Sequence, residues 1–311
     1  MIKIGVFGLS GETIDLARLF RQKKEPVELL FFSRALQPGQ PPQETGFLSS
    51  PDADELISRS DRLIFPDPST GDMPFIRQAL RQSKPLFFIH TGRLSPEDMH
   101  EIVRLAAEAD IAAVCFNPVW ETFVAGKIPQ TVHDLFYAEM VYRMPADRFS
   151  PHTAVDHLLF SLESLLRFFR AFPKKPVVNV YSVHPGQTDM ILVRLDFDNS
   201  AMIRFRYEGL AETQELTCRL VQPGLVTTCD FIAGKIRYHK AGTTTMTNAG
   251  SIMLPRNDHP LYRSWKTFMS GEKNKNIFME DRLAATRTHQ YIREKIHYNT
   301  PAPRPVVKNL Q

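Results

Sequence analysis

The stretch Ile4-Gly5-Val6-Phe7-Gly8-Leu9-Ser10-Gly11 places two glycines and a serine directly after a short apolar run. A strand that turns tightly into a helix presents backbone amides at the positive end of that helix, where dinucleotide phosphates are held. In the frame Gly-x-Gly-x-x-Gly, Gly8 takes the first position, Ser10 the second and Thr13 the third. Ser10 therefore carries a side chain where backbone should approach phosphate most closely, although a hydroxyl also suits a phosphate oxygen. The same residues fit a plain strand-to-helix turn with no nucleotide, and the motif leaves both readings open. At the end of the second apolar run, Phe32-Ser33-Arg34 offers no carboxylate for ribose hydroxyls. An arginine there suits a 2′-phosphate, which favours NADP over NAD as the cofactor.

Proton chemistry has two candidate sources. His90 closes the apolar run from Pro85 to Ile89, and an imidazole titrates close enough to neutrality to exchange a hydroxyl proton. Further along, Ser150-Pro151-His152-Thr153-Ala154-Val155-Asp156-His157 leads into a long helical pattern. His152 and Asp156 stand four apart, on one face of a helix, and a carboxylate beside an imidazole fixes its tautomer for proton transfer. Asp156 and His157 fit equally well as polar residues of a buried helix. The ten histidines are dispersed, with no Cys-x-x-Cys or His-x-x-x-His spacing, so no metal is expected. A Gly-x-Ser-x-Gly elbow and a phosphate loop ending in Gly-Lys-Ser/Thr are also missing from the sequence.

The elements that must position these residues follow from apolar spacing. Apolar runs at 2–7, 26–32, 62–67, 84–90 and 111–117 read as strands, and the segments from Glu12, 74–83 and 97–110 have helical spacing. Ser95-Pro96-Glu97-Asp98 has the residues of a helix start. Alternation of this kind predicts a parallel sheet with helices on both faces. Ligands of such sheets sit beyond the carboxyl ends of the strands. Gly8–Gly11, Ser33, Arg34, Pro66, Asp67, Pro68, His90, Thr91 and Asn117 all fall there. The second half differs: a long helix at 153–172 precedes six strand-like runs between 176 and 241. Several of these alternate apolar with polar, as in an antiparallel sheet with one covered face. Residues 241–260 read as a loop, and helices over 259–271 and 279–296 close the chain. The expected organisation is α/β plus α+β: a Rossmann-like parallel-sheet domain over 1–120, a second domain built on a large, mostly antiparallel sheet over 121–298, and a loose tail over 299–311.

Composition bounds the function classes. The 38 Lys and Arg against 34 Asp and Glu give a scattered excess with no basic block, which argues against nucleic acid. No run of 18 apolar residues exists, so no membrane span is expected. Three sparse cysteines, Cys115, Cys218 and Cys229, suit a reducing cytoplasm.

The order of segments resembles the Gfo/Idh/MocA family of glucose–fructose oxidoreductases and inositol dehydrogenases. The resemblance rests on KIGVFGLSG at the start, on residues 74–117, and on FMEDRLAATRTHQYIREKI near the end. It implies a nucleotide domain, a C-terminal sheet through which subunits associate, and hydride transfer between NAD or NADP and a sugar, inositol or related polyol. It also implies that Gly8, Leu9, Ser10, Gly11, Ser33, Arg34, Pro66, Asp67, Pro68 and Asn117 contact the cofactor, and that catalysis falls to His90 with His152, Asp156 and His157. Several family motifs are altered. Ile89-His90-Thr91 stands where the family has Glu-Lys-Pro, and Pro118 and Val119 follow Asn117 where basic residues are usual. Those losses keep two other readings open: a non-catalytic relative that binds a ligand or partner on the same scaffold, and non-redox proton chemistry in the same crevice.

Overall fold

The computed structural model describes residues 1–33, 46–169, 173–183, 188–241, 246–254, 259–272 and 277–299. The chain divides into two compact units, residues 1–121 with 257–284, and residues 122–256 with 285–311.

The first unit contains strands β1 (Ile2–Phe7), β2 (Val27–Phe32), β3 (Leu48–Ser49), β4 (Arg62–Phe65), β5 (Leu86–Phe88) and β6 (Ala113–Cys115), joined late in the chain by β15 (Ile277–Phe278). Their order in the sheet is β15-β6-β5-β4-β1-β2-β3. All neighbours run parallel except β15, which lies antiparallel to β6. Successive strands step outward from β1 to β2 and β3, then restart on its other side with β4. The order therefore reverses at β1 and β4, the position at which open α/β sheets present a crevice. Helices α1 (Gly11–Gln22), α2 (Ala53–Arg59), α3 (Met73–Arg81) and α4 (Pro96–Glu108) connect these strands.

Amphipathic spacing on α1 buries Leu16, Ala17 and Phe20 against Ile4, Val6, Phe31, Ile64 and Phe87 of the sheet. The same cluster takes in Leu261, Trp265 and Phe268 of α8 (Pro260–Ser270). Residues 257–284 therefore belong with the first unit and not with the second domain expected over 121–298. The physical reason is this apolar stripe, which completes a core begun by the first 120 residues. Trp265 meets Phe87 edge-on at 5.7 Å and Phe20 at 5.7 Å. Another aromatic group forms where Phe7 stacks on Phe65 at 4.5 Å and on Phe75 at 5.4 Å. Gly5 is required within β1 for packing, because a Cβ there would collide with Ser60 Oγ and Leu63.

The second unit holds an eight-stranded sheet of β7 (Tyr137–Arg143), β8 (Val177–Tyr181), β9 (Met190–Asp196), β10 (Met202–Glu208), β11 (Glu215–Gln222), β12 (Leu225–Asp230), β13 (Lys235–Ala241) and β14 (Met246–Met253). The order is β14-β13-β12-β11-β7-β10-β9-β8, antiparallel throughout except for the β7–β10 pair. One face is apolar: Met140, Val193, Phe205, Cys218, Leu220 and Ile236 are buried. The other carries Arg194, Arg204, Glu139 and Arg219 in register on adjacent strands. Between β7 and β8 lies α7 (Pro151–Leu166), and α9 (Met279–Asn299) carries the chain from the first unit into the second. Two segments differ from the sequence pattern. β14 falls within the expected 241–260 loop, where polar MTNAGSIM hides the alternation and pairing with β13 supplies the order. The expected tail over 299–311 lies outside the described residues apart from Asn299.

If α8 completes the first core, Trp265→Ala removes a large side chain that is 2% exposed and costs about 3–5 kcal/mol. Denaturant unfolding followed by tryptophan-independent circular dichroism measures this, and a loss below about 1 kcal/mol would contradict the packing described.

Candidate functional site

Beyond the carboxyl end of β1 the backbone turns at Gly8, whose φ of +84° lies in the left-handed region open to glycine. The Gly8 amide donates to Phe32 O at 2.7 Å, which ties the turn to the end of β2. Ser10 then caps α1. Its Oγ accepts from the Thr13 amide at 3.3 Å, while Thr13 Oγ1 accepts from the Ser10 amide at 2.9 Å. This reciprocal capping box gives Thr13, which stands at the third glycine position, a role in starting the helix. A Cβ added at Gly8 or at Gly11 would meet no atom within 4 Å, so the outer side of the turn is open.

Glu12 lies in the first turn of α1. Its Oε1 is 3.1 Å from His90 Nε2, and both side chains are a little over two-fifths exposed. Partial burial works against its ionisation. Hydrogen bonds from its own amide, from His90 and from the Ser10 hydroxyl, together with the charge of His90, outweigh that effect and hold the carboxyl below its ordinary range. An ionised carboxylate only accepts hydrogen bonds, so His90 donates from Nε2 and, when neutral, keeps Nδ1 as an acceptor. The Glu12 carboxylate thus stands at the positive end of α1, the favourable position for an anion.

His90 follows β5, and its amide donates to Pro66 O at 2.8 Å. Arg93 Nη1 donates to Asp67 Oδ2 at 3.3 Å, and Ser69 forms a parallel bridge with Arg93. The turns after β4 and β5 are thereby joined, with Pro66, Asp67 and Pro68 on one side and His90 on the other. Beneath them Arg282 of α9, 1% exposed, donates to Thr91 Oγ1 at 3.3 Å and to Phe116 O at 2.8 Å. Asn117, also 1% exposed, uses Oδ1 to accept from the Val119 and Trp120 amides at 2.9 and 3.0 Å. That oxygen caps α5 (Pro118–Ala125).

The structure brings together Gly8, Leu9, Ser10, Gly11, Pro66, Asp67 and His90 at the carboxyl edge of one sheet. Ser33 stands at the end of β2, half-buried, and Arg34 lies outside the described residues. His152 and Asp156 belong to α7, and their side chains are outside the described set. His157 lies in the second unit, stacked on Tyr142 at 4.9 Å, with Nδ1 3.3 Å from Ser161 Oγ. Burial pushes its imidazole down to about 4. Among the described residues no group of three or more His, Cys, Asp or Glu side chains is placed to hold a metal ion. No helix among them is long and apolar enough to cross a membrane.

Sequence reasoning missed Glu12, Arg93 and Arg282. Glu12 had a signal, since it sits two residues after the serine cap of a helix facing a candidate phosphate site. Arg282 had none, because one arginine in a charged helix looks like any other.

No family model matches the sequence, and no curated protein does. Solved structures match over nearly the whole chain. UDP-N-acetylglucosamine 3-dehydrogenase GnnA from Acidithiobacillus ferrooxidans is 12% identical, with a TM-score of 0.78 over 96% of this chain and 99% of that one. The dehydrogenase MviM from Clostridium difficile is 11% identical, with a TM-score of 0.71 over 94% and 99%. An NAD binding oxidoreductase from Klebsiella pneumoniae is 10% identical, with a TM-score of 0.71 over 95% and 96%. The chain shares the fold of these three proteins.

Within that fold the first turn combines a left-handed glycine, an open outer side and a helix start where the strand order reverses. Its amides are partly taken. Thr13 holds the Ser10 amide and Ser10 holds the Thr13 amide.

The partly buried His157 ring has a consequence for stability. Its folded pKa of about 4 lies below its ordinary 6.5, so the unfolded chain binds the extra proton in that window. Stability present above about pH 6.5 is lost as the pH falls toward 4, by at most about 3 kcal/mol. His157→Phe keeps an aromatic ring against Tyr142 and should flatten the dependence of the urea midpoint on pH. Identical slopes in both proteins would rule out His157 as its source.

Proposed function

We propose that this protein is an NAD(P)-dependent oxidoreductase that transfers hydride between nicotinamide and a hydroxyl-bearing carbon of a sugar, inositol or related polyol. The observation that carries the reading is the turn at Gly8, open on its outer side and set at the reversal of strand order, in a chain with this dehydrogenase fold. Gly8, Leu9, Ser10 and Gly11 would hold the pyrophosphate, Ser33 and Arg34 the adenosine end, and Pro66, Asp67, Pro68 and Asn117 the nicotinamide side. When bound, the nicotinamide supplies the hydride acceptor or donor. His90 is the acid/base proposed here, its imidazole taking the proton of a substrate hydroxyl. His152 and Asp156, with His157, remain the second proposed source of proton chemistry.

The test is titration of nucleotide-free protein with NAD, NADH, NADP and NADPH by fluorescence or calorimetry. Saturable binding that falls at least about tenfold in Gly8→Val, through a strained left-handed valine and a blocked approach, supports the site. A preference for the phosphorylated cofactor that Arg34→Ala removes supports the role of the second strand. No binding of any form at millimolar nucleotide would overturn the dehydrogenase reading. A polyol and sugar screen, read by nicotinamide absorbance, then tests hydride transfer.

We further propose that a second copy of the chain covers the outer face of the eight-stranded sheet. An isologous interface needs a surface complementary to itself, and Arg194, Arg204, Glu139 and Arg219 put both signs of charge on one row. Val177 and Tyr181 add exposed apolar area at its edge. Sedimentation equilibrium of the wild type should show a dimer or higher oligomer, and Arg204→Glu with Arg219→Glu should dissociate it. A monomeric wild type would contradict this interface.

A further inference from the structure

Glu12 occupies a place that chemistry reserves for an anion. The first turn of α1 points its amides outward at the positive end of a twelve-residue helix. The ligand found there is the chain's own carboxylate, which accepts from His90 Nε2 at 3.1 Å, while its own amide and the Ser10 hydroxyl help to keep it ionised. These are the donor types that a phosphate oxygen would use: a helix amide, a hydroxyl and an imidazole. A Cβ at Gly8 or Gly11 would meet no atom within 4 Å, so the turn before Glu12 is open. At a little over two-fifths exposed, it has solvent to move into.

We propose that Glu12 is an internal stand-in for the cofactor phosphate and the residue that sets nucleotide affinity at this site, so that dinucleotide binding displaces its carboxylate and frees His90 Nε2. The inference rests on the nucleotide reading given above. Two anions cannot share these few donors without strong repulsion, so one must leave. Displacement breaks the Glu12–His90 hydrogen bond, and the ring then faces the site with both nitrogens available. Weak binding by the wild type and a histidine released only in the complex follow from the same carboxylate.

The experiment compares wild type, Glu12→Ala and Glu12→Gln by NADPH titration at fixed pH and salt, together with the ring nitrogen signals of His90 in labelled full-length protein. Both variants should bind NADPH more tightly, Glu12→Ala by about tenfold, as expected for removing one like charge beside a phosphate. In the wild type, saturating NADPH should move the His90 Nε2 signal towards the position it already holds in nucleotide-free Glu12→Ala. Thermal melts establish that both variants are folded, and Glu12→Gln preserves size if the alanine variant is not. Wild-type binding with affinity unchanged or weakened in both variants overturns the role of Glu12 alone, as does a His90 signal that NADPH leaves in place. Failure of wild type and variants alike to bind overturns the nucleotide reading, and this proposal with it.

Discussion

The positive end of α1 is the constraint around which the first unit is arranged. A parallel strand that turns into a helix leaves amides and a partial positive charge at the carboxyl edge of the sheet. The chain meets this demand internally. Ser10 and Thr13 satisfy each other's amides, and Glu12 brings a full negative charge to the remaining field. Gly8 makes the arrangement possible, because its left-handed backbone lets β1 end and α1 begin within three residues. His90 reaches the same point from β5, two strands away from β1 in the sheet order.

That reach depends on a rigid floor. Loops after β4 and β5 are joined through the His90 amide, the Arg93–Asp67 contact and the Ser69–Arg93 bridge. The Asp67–Arg93 pair is exposed and contributes little by itself. Arg282 contributes more, since a buried guanidinium holding Thr91 and the Phe116 carbonyl leaves costly unpaired groups if it is lost. Asn117 completes the floor as the cap of α5, so its side-chain oxygen is already committed to the helix. The site therefore separates into an exposed pair, Glu12 and His90, and a buried support made by Thr91, Asn117 and Arg282.

Much of this architecture is legible in the sequence, and the reasons are local. Apolar runs such as PVELLFF and KPLFFIH report buried parallel strands directly, and MIRFRY and LTCRLV report a sheet with one covered face. β14 was hidden because an edge strand can draw its order from pairing with β13 and needs no apolar alternation of its own. The place of 257–284 was hidden for a different reason. Helical spacing shows that Leu261, Trp265 and Phe268 share a face, but it does not show which core that face joins. At the site, the Gly8 turn and His90 could be read from the sequence. Their connection through Glu12 could not, because a contact between residues 78 apart depends on strand order.

A histidine at position 90 gains a physical sense from that contact. A lysine ammonium at this position would be cationic at every physiological pH, and would hold Glu12 in a permanent ion pair over the helix start. An imidazole holds the same carboxylate with one directional hydrogen bond. The bond at 3.1 Å joins two side chains that both face solvent, where a single such interaction contributes little net stability. His90 and the acidic residue at the helix start are therefore best understood as a matched pair. A carboxylate at the start of α1 would obstruct an anion if it were fixed there, and the histidine opposite it is the partner that can let it go.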